Sequence, residues 1–154
     1  MPVELVEVDW SDERAVGLRE EMDAWLNRRY QDAPPLSPVA RTALSVDSDD
    51  IVSTMLAVLD GRAVGHGALR RLGDDLEVKR VVVTEAGRGR GLSYVLMTWL
   101  ENRARELGAT RLLLSTGDRQ LEAVHVYEKI GYVETDLYAP YDVVPWTRCF
   151  AKEL

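Results

Sequence analysis

Apolar and acidic residues alternate over residues 3–8 (Val-Glu-Leu-Val-Glu-Val), the period of a half-buried strand. Ser11 or Asp12 then offers a helix N-cap, and Leu18, Met22, Trp25 and Leu26 follow at helical spacing. This helix is expected to fade near Tyr30, because three prolines between residues 31 and 38 read as a loop. Residues 39–50 are weakly patterned and predict a short helix or a loop. Two apolar runs, 51–59 and 63–71, flank Asp60-Gly61, a hairpin signal. Gly73-Asp74-Asp75 is a second turn and 76–83 a third strand, so the three strands predict an antiparallel meander.

The period then changes. Leu92, Val95, Leu96, Trp99, Leu100 and Leu107 mark a long helix with one apolar face, closed by Gly108. Residues 111–116 form a short, mostly apolar run, as expected of a buried central strand. Ala123, Val126, Tyr127 and Ile130 mark a further helix stopped by Gly131, and 132–138 and 146–152 are two last strand candidates. The order β-α-(α)-β-β-β-α-β-α-β-β predicts an α/β (α+β) chain, a mixed sheet with helices on its faces.

Composition narrows the function classes. The 154 residues suit one domain able to bury a real core. One cysteine, Cys149, excludes an internal disulfide framework and a cysteine-based zinc cluster, and two distant histidines, His66 and His125, make no metal site. There is no membrane-length apolar run and no basic, apolar leader at the start, so the cytoplasm is the expected compartment. The net charge of −7 is unevenly spread. Residues 1–50 hold 12 acidic and 5 basic residues, and residues 51–154 hold 14 of each. An acidic chain is a poor partner for nucleic acid, whose phosphates need a basic face.

The segment 81–93 (Val-Val-Val-Thr-Glu-Ala-Gly-Arg-Gly-Arg-Gly-Leu-Ser) carries the strongest chemical signal. A β-branched strand runs into a Gly/Arg loop that opens the long helix. The first N–H groups of a helix lack internal partners, and glycines let a ligand approach them. With Arg88 and Arg90 this makes a phosphate-binding turn. No lysine follows the glycines as a P-loop requires, and the third glycine of a dinucleotide fingerprint is replaced by Leu92 or Tyr94. Standing alone, the turn is equally compatible with a surface loop that binds nothing.

The flanking residues resolve that ambiguity. Arg88-x-x-Gly91-x-Ser93 resembles motif A of the GNAT superfamily of N-acetyltransferases, Gln/Arg-x-x-Gly-x-Gly/Ala, with Ser at the last position. Residues 76–83 look like the family's fourth strand, and 116–132 look like motif B, with Gln120 where the family often has Asn. The match spans roughly residues 50–154. It implies a single N-acetyltransferase domain over 1–154, built on a mostly antiparallel sheet of six to seven strands. Residues 1–50 would supply acceptor-side helices and 51–154 the cofactor-binding core.

The same resemblance implies acetyl-CoA as cosubstrate, without a metal. Its pyrophosphate would rest on backbone N–H groups of Arg88, Gly89, Arg90, Gly91, Leu92 and Ser93, with Gln120 a further contact. Its pantetheine arm would pair with Val81 and Val83 where strands four and five splay around a bulge, and the N–H of Val82 or Val83 would polarise the acetyl oxygen. The acceptor the resemblance implies is a primary amine of a small molecule, amino acid or peptide. Its attack through a tetrahedral intermediate needs loss of the ammonium proton, donors for the oxyanion, and a proton for the departing thiolate. Glu77 is the candidate base, with a solvated strand Glu paired to Lys79 or Arg80 as the competing reading. Strict alternation would put Glu77, Lys79, Val81 and Val83 on one face. Tyr127 is the candidate acid, a phenol suited to protonating a thiolate.

His66, between Gly65 and Gly67, reads as a packed histidine, His125 as a surface one, and Cys149 as a buried inert thiol. Trp25 and Trp146 are candidates for the acceptor pocket. The acidic excess of residues 1–50 (Glu20, Glu21, Asp23, Asp47, Asp49 and Asp50 among them) would form a wall attracting a cationic small-molecule amine. Lys79, Arg80, Arg88 and Arg90 would cluster at the CoA phosphates. Aromatic residues from Tyr138 to Phe150 would suit a homodimer face, as in many relatives. A CoA-binding sensor without catalysis is the alternative, and the presence of both Glu77 and Tyr127 favours the enzyme.

Overall fold

A computed structural model describes residues 2–154. Seven strands form one mixed sheet in the order β1-β2-β3-β4-β5-β7-β6. They are β1 Glu4–Val8, β2 Ile51–Leu59, β3 Arg62–Leu72, β4 Asp75–Val83, β5 Arg111–Gly117, β6 Val133–Thr135 and β7 Thr147–Glu153. The helices are α1 Glu13–Arg29, α2 Pro38–Leu44, α3 Leu92–Glu106 and α4 Leu121–Lys129. The predicted order of elements is the observed one, with β6 cut to three residues. β2, β3 and β4 form the expected meander, and the single parallel pairing joins β4 to β5. Among the described residues no helix is long and apolar enough to cross a membrane.

α3 and α4 cover one face. Leu96, Met97, Leu100 and Ala104 of α3 are fully buried against Leu69, Val78, Leu112, Leu114 and strands beyond. The buried stripe therefore runs through 92, 96, 100 and 104, spaced by four. Val95 and Leu107, expected on it, lie off that line and are exposed. α1 crosses the other face, where Ala15 and Leu18 meet Leu56, Val58 and Val82. Beyond Leu18 the helix leaves the sheet. Met22, Trp25 and Leu26 are only half-buried, because they overhang a gap rather than a strand surface.

That gap is made by β4. β4 and β5 pair only through Leu76–Val78 and Leu112–Leu114. Past Val78 the strands part. The rest of β5 continues on β7, while the rest of β4 continues on β3. Between the pairs His66↔Val82 and Ala68↔Lys79, β3 spends one residue and β4 two. This is a β-bulge, and Arg80 takes a left-handed backbone with φ of 57°.

The bulge breaks strand parity. Val78, Val81 and Val83 pack toward α3, while Val82 packs toward α1 and Glu77 and Lys79 meet Tyr141 on that same side. The single face expected for Glu77, Lys79, Val81 and Val83 is thus divided between two. Tyr141 and Phe150 are fully buried and Tyr138 donates to Glu77. Tyr141 and Phe150, two of the aromatic residues that suggested a dimer face, are therefore interior, while Tyr138 and Trp146 are half-buried.

α3 sits close on β3 because two glycines leave room for it. A Cβ at Gly65 would lie 3.1 Å from both Ala57 Cβ and Leu96 Cδ1. Gly65→Val should cost roughly 1–3 kcal/mol by overpacking. For a domain this size that is a fall in Tm of roughly 3–10 °C, read by thermal unfolding. An unchanged Tm would show that α3 can shift without loss.

Candidate active site

Two cavities of about 660 and 770 Å³ open on either side of the parted strands. Met22, Val81, Gln120, Ala123 and Tyr127 line both, so they meet at the β4 edge and the inner face of α4.

The larger cavity runs along β4 to the Gly/Arg loop. A single 3-10 turn over Glu85–Gly87 leads into it, and Gly89 and Gly91 both take positive φ, 79° and 68°, which glycine tolerates. The N–H of Arg88 donates to the Glu85 carbonyl at 3.2 Å and is not free, a correction to its expected place in the cradle. Those of Gly89, Arg90, Gly91, Leu92 and Ser93 have no protein acceptor among the described residues. Gly91 is the N-cap of α3 and supplies no side chain to cover them. Five consecutive unpartnered donors at the positive end of a four-turn helix form an anion cradle. Arg88 and Arg90 are exposed beside it, and neither has a protein ion-pair partner among the described residues. On the β5 side, the backbone of Val81 and Val83 is left without a neighbouring strand. Gln120 caps α4 and lines both cavities. These features fit an extended ligand with a phosphate end and a strand-like arm.

Tyr127 stands at the junction. Its ring packs against Tyr132 at 6.1 Å, and its hydroxyl has no protein hydrogen-bond partner among the described residues. Burial pushes its pKa up to about 12. The phenol is therefore a neutral proton carrier at pH 7.

The smaller cavity lies between α1, the proline loop and the ends of β5 and β7. Trp146 lines it together with Tyr30, whose ring lies 5.1 Å away. Trp25 instead lines the larger cavity, beneath the Arg29 guanidinium. The acidic wall is absent here. Asp23 alone of those carboxylates lines this cavity, and it is paired with Arg80. Glu21 faces the larger cavity, and Asp47 caps a 3-10 turn over Ser48–Asp50 away from both. The expected basic cluster at the CoA phosphates divides as well. Arg88 lines the larger cavity, whereas Lys79 and Arg80 line the smaller one.

Glu77 is fully buried and lines neither cavity. Its Oε1 accepts from Arg70 Nε and from the Tyr141 hydroxyl, each at 2.9 Å, and its Oε2 accepts from the Tyr138 hydroxyl. Lys79 Nζ lies 3.7 Å from the same carboxylate and donates to the Tyr141 oxygen at 2.7 Å. Burial lowers the Lys79 pKa to about 8, against the pull of Glu77 and with help from Arg70 and Arg80. The competing reading of a solvated Glu77 fails, since its ion pair is interior.

His66 is the residue whose role sequence reasoning missed. It is fully buried, and its Nδ1 lies 2.8 Å from the Arg80 carbonyl. A carbonyl only accepts, so Nδ1 carries the proton. Its Nε2 lies 3.0 Å from Arg19 Nη1, and a guanidinium only donates, so Nε2 is bare. Arg19 also donates to the Trp10 carbonyl at 2.7 Å and stacks 3.5 Å over the Trp10 ring. The neutral imidazole thus ties the bulge to α1, which Arg80 grips a second time through Asp23. The available signal was two adjacent cations, Lys79-Arg80, which break the alternation of the strand just before its apolar end Val81–Val83.

The GNAT acetyltransferase family model matches residues 4–132. The chain belongs to the GNAT acetyltransferase family. It is 30% identical over 141 residues to an IAA acetyltransferase of Azospirillum brasilense, covering 90% of each chain. A solved structure from Klebsiella pneumoniae assigned to the acyl-CoA N-acyltransferases superposes with a TM-score of 0.80 at 27% identity, covering 99% of this chain and 97% of that one. The PaiA N-acetyltransferase of Thermoplasma acidophilum, solved with coenzyme A, shares the fold at a TM-score of 0.69 and 15% identity, over the whole of both chains. This chain is accordingly an acetyl-CoA-dependent N-acetyltransferase.

The neutral His66 has a consequence for stability. Burial first, then Arg19 and Arg80, hold its pKa down to about 4 against 6.5 for the free side chain. Between those values the unfolded chain binds a proton that the fold refuses, so stability falls as pH drops from 6.5 to 4. The share due to His66 is about 3 kcal/mol. His66→Asn keeps a donor near the Nδ1 position and does not titrate. Denaturant titrations at pH 7 and 4.5 should show a smaller acid loss for that variant than for the wild type; equal losses would remove His66 from the account.

Proposed function

We propose that the enzyme transfers the acetyl group of acetyl-CoA to the primary amine of a small molecule, by direct attack through a tetrahedral intermediate. The observation that carries this is the Tyr127 phenol, neutral and unpartnered, at the meeting point of an anion cradle's cavity and a second cavity. One cavity suits the cosubstrate and the other the acceptor.

In this reading the N–H groups of Gly89 to Ser93 hold the pyrophosphate, with Arg88 and Arg90 adding charge from the loop. The open edge at Val81 and Val83 receives the pantetheine arm, and the N–H of Val82 or Val83 polarises the acetyl oxygen. Gln120 contributes from the cap of α4. The amine nitrogen bonds to the carbonyl carbon and the carbon–sulfur bond breaks. Tyr127 gives its proton to the leaving sulfur, and the proton lost from the amine leaves through the open acceptor cavity to water.

Glu77 acts without touching the acceptor. Its carboxylate holds Lys79, Tyr138 and Tyr141 in place, a positioning role rather than that of a direct base. The cations it leaves in excess beside the cavity work in the same direction as a base, because a positive neighbourhood disfavours an ammonium over a free amine. A reduced buried thiol at Cys149 suits a cytoplasmic setting.

Tyr127→Phe should lower kcat by about 10²–10⁴-fold, with the KM for acetyl-CoA little changed, measured as release of free CoA thiol. Undiminished turnover would remove Tyr127 as the proton donor. Absence of CoA release with every amine tried, alongside acetyl-CoA binding, would overturn the transfer reaction.

A further inference from the structure

We infer that the acceptor carries a carboxylate and an apolar body as well as its amine, and that Lys79 and Arg80 on the β4 bulge bind that carboxylate. The inference rests on the acetyl-transfer reading and specifies its acceptor.

The charged side chains lining the acceptor cavity are Asp23, Lys79 and Arg80. Asp23 is taken up by Arg80. The carboxylate nearest Lys79 is Glu77 at 3.7 Å, and Arg70 already holds it at 2.9 Å. Arg19 stands behind the bulge, and His66 between it and Arg80 is neutral. Four cations (Arg19, Arg70, Lys79, Arg80) therefore meet two carboxylates (Glu77, Asp23), leaving two positive charges over. The Lys79 side chain is only 10% exposed, and a buried charge without a matching counter-charge is costly. An anionic group on the acceptor removes that cost. No free carboxylate lines the cavity to receive a polycation.

Part of the remaining wall is apolar, and Asn27, Gln31, Ser115, Thr116 and Gln120 are among its polar members. Leu26, Pro35, Leu36 and Leu44 face the paired rings of Tyr30 and Trp146. The volume, about 660 Å³, is that of a small-ligand site. Thr147 lines it too, nine-tenths buried and with its hydroxyl unpartnered among the described residues. An amine with a carboxylate and an aliphatic or aromatic body, such as an apolar α-amino acid, matches all three features. The expected wall of acids selecting a cationic amine is thereby reversed into a cationic end selecting an anionic group.

The test compares acceptors that differ only in the carboxylate, L-phenylalanine against 2-phenylethylamine and L-leucine against isopentylamine, by release of CoA thiol. We expect kcat/KM to be roughly tenfold or more higher for each carboxylate partner, the scale of one charge-assisted contact. Lys79→Met should reduce that ratio about tenfold, and Lys79→Arg should preserve it. A merely structural role for Lys79 would lower both members of a pair alike and leave the ratio standing. Independently of turnover, 3-phenylpropanoate should quench Trp146 fluorescence saturably in the wild type, compete with the acceptor and not with acetyl-CoA, and lose affinity in Lys79→Met. Amines lacking the carboxylate used as well or better, or no binding of 3-phenylpropanoate, would overturn the inference while leaving acetyl transfer intact. No CoA release with any amine, together with saturable 3-phenylpropanoate binding, would overturn acetyl transfer and leave the anion site standing.

Discussion

The site depends on one extra residue in one strand. Arg80 has a left-handed backbone that a side chain adopts at a cost of roughly 1–3 kcal/mol, so surrounding contacts must hold it. His66 takes its carbonyl, and Asp23 takes its guanidinium. The bulge turns β4 away from β5 just past Val78, and that parting makes room for both cavities. It also moves the side chains after it by one face. Val81 and Val83 then pack toward α3, while Glu77 and Lys79 stay on the side of Tyr141. A regular strand would have closed the gap and sent all four to the same side.

The polar interior beside the bulge follows from that geometry. Arg70, Glu77, Lys79, Tyr138 and Tyr141 form one hydrogen-bonded group drawn from β3, β4 and the segment before β7. Such a group is tolerable in an interior only when its members satisfy one another. Both carboxylate oxygens of Glu77 accept hydrogen bonds within it. The phenols of Tyr138 and Tyr141 are held neutral, chiefly by burial and then by the charge of Glu77. Tyr127, on the other face, is kept neutral by burial alone and keeps its hydroxyl free.

Much of the fold was legible because it rests on local rules. Alternation, short apolar runs, turn residues and the 3.6 period placed the seven strands and three of the helices, and Asp12 and Gly108 mark helix ends where expected. The Gly/Arg turn was legible for the same reason, since free N–H groups at a helix start are a property of the chain itself. The errors share one source. Met22, Trp25 and Leu26 looked like core and are cavity wall, because a helical stripe does not say whether a strand or a gap lies beneath it. Glu77 and Tyr138 are 61 residues apart and yet share a hydrogen bond, which no spacing rule reveals.

Taken alone, the sequence determined the order of elements, the anion cradle at the start of α3, the family, and Tyr127 as the candidate proton donor. The order of elements and the cradle follow from short-range periodicity and from backbone groups that have no partner within reach, whereas the family and Tyr127 come from the resemblance of the chain's motifs to the GNAT superfamily. Only the tertiary structure decided which charges line the smaller cavity. The acidic excess of the first fifty residues is spread over solvent and paired positions, while the bulge brings Lys79 and Arg80 to the cavity. Net charge is a sum over the chain, whereas a ligand responds to the few charges within several ångströms of it. Which few those are depends on where the strands part.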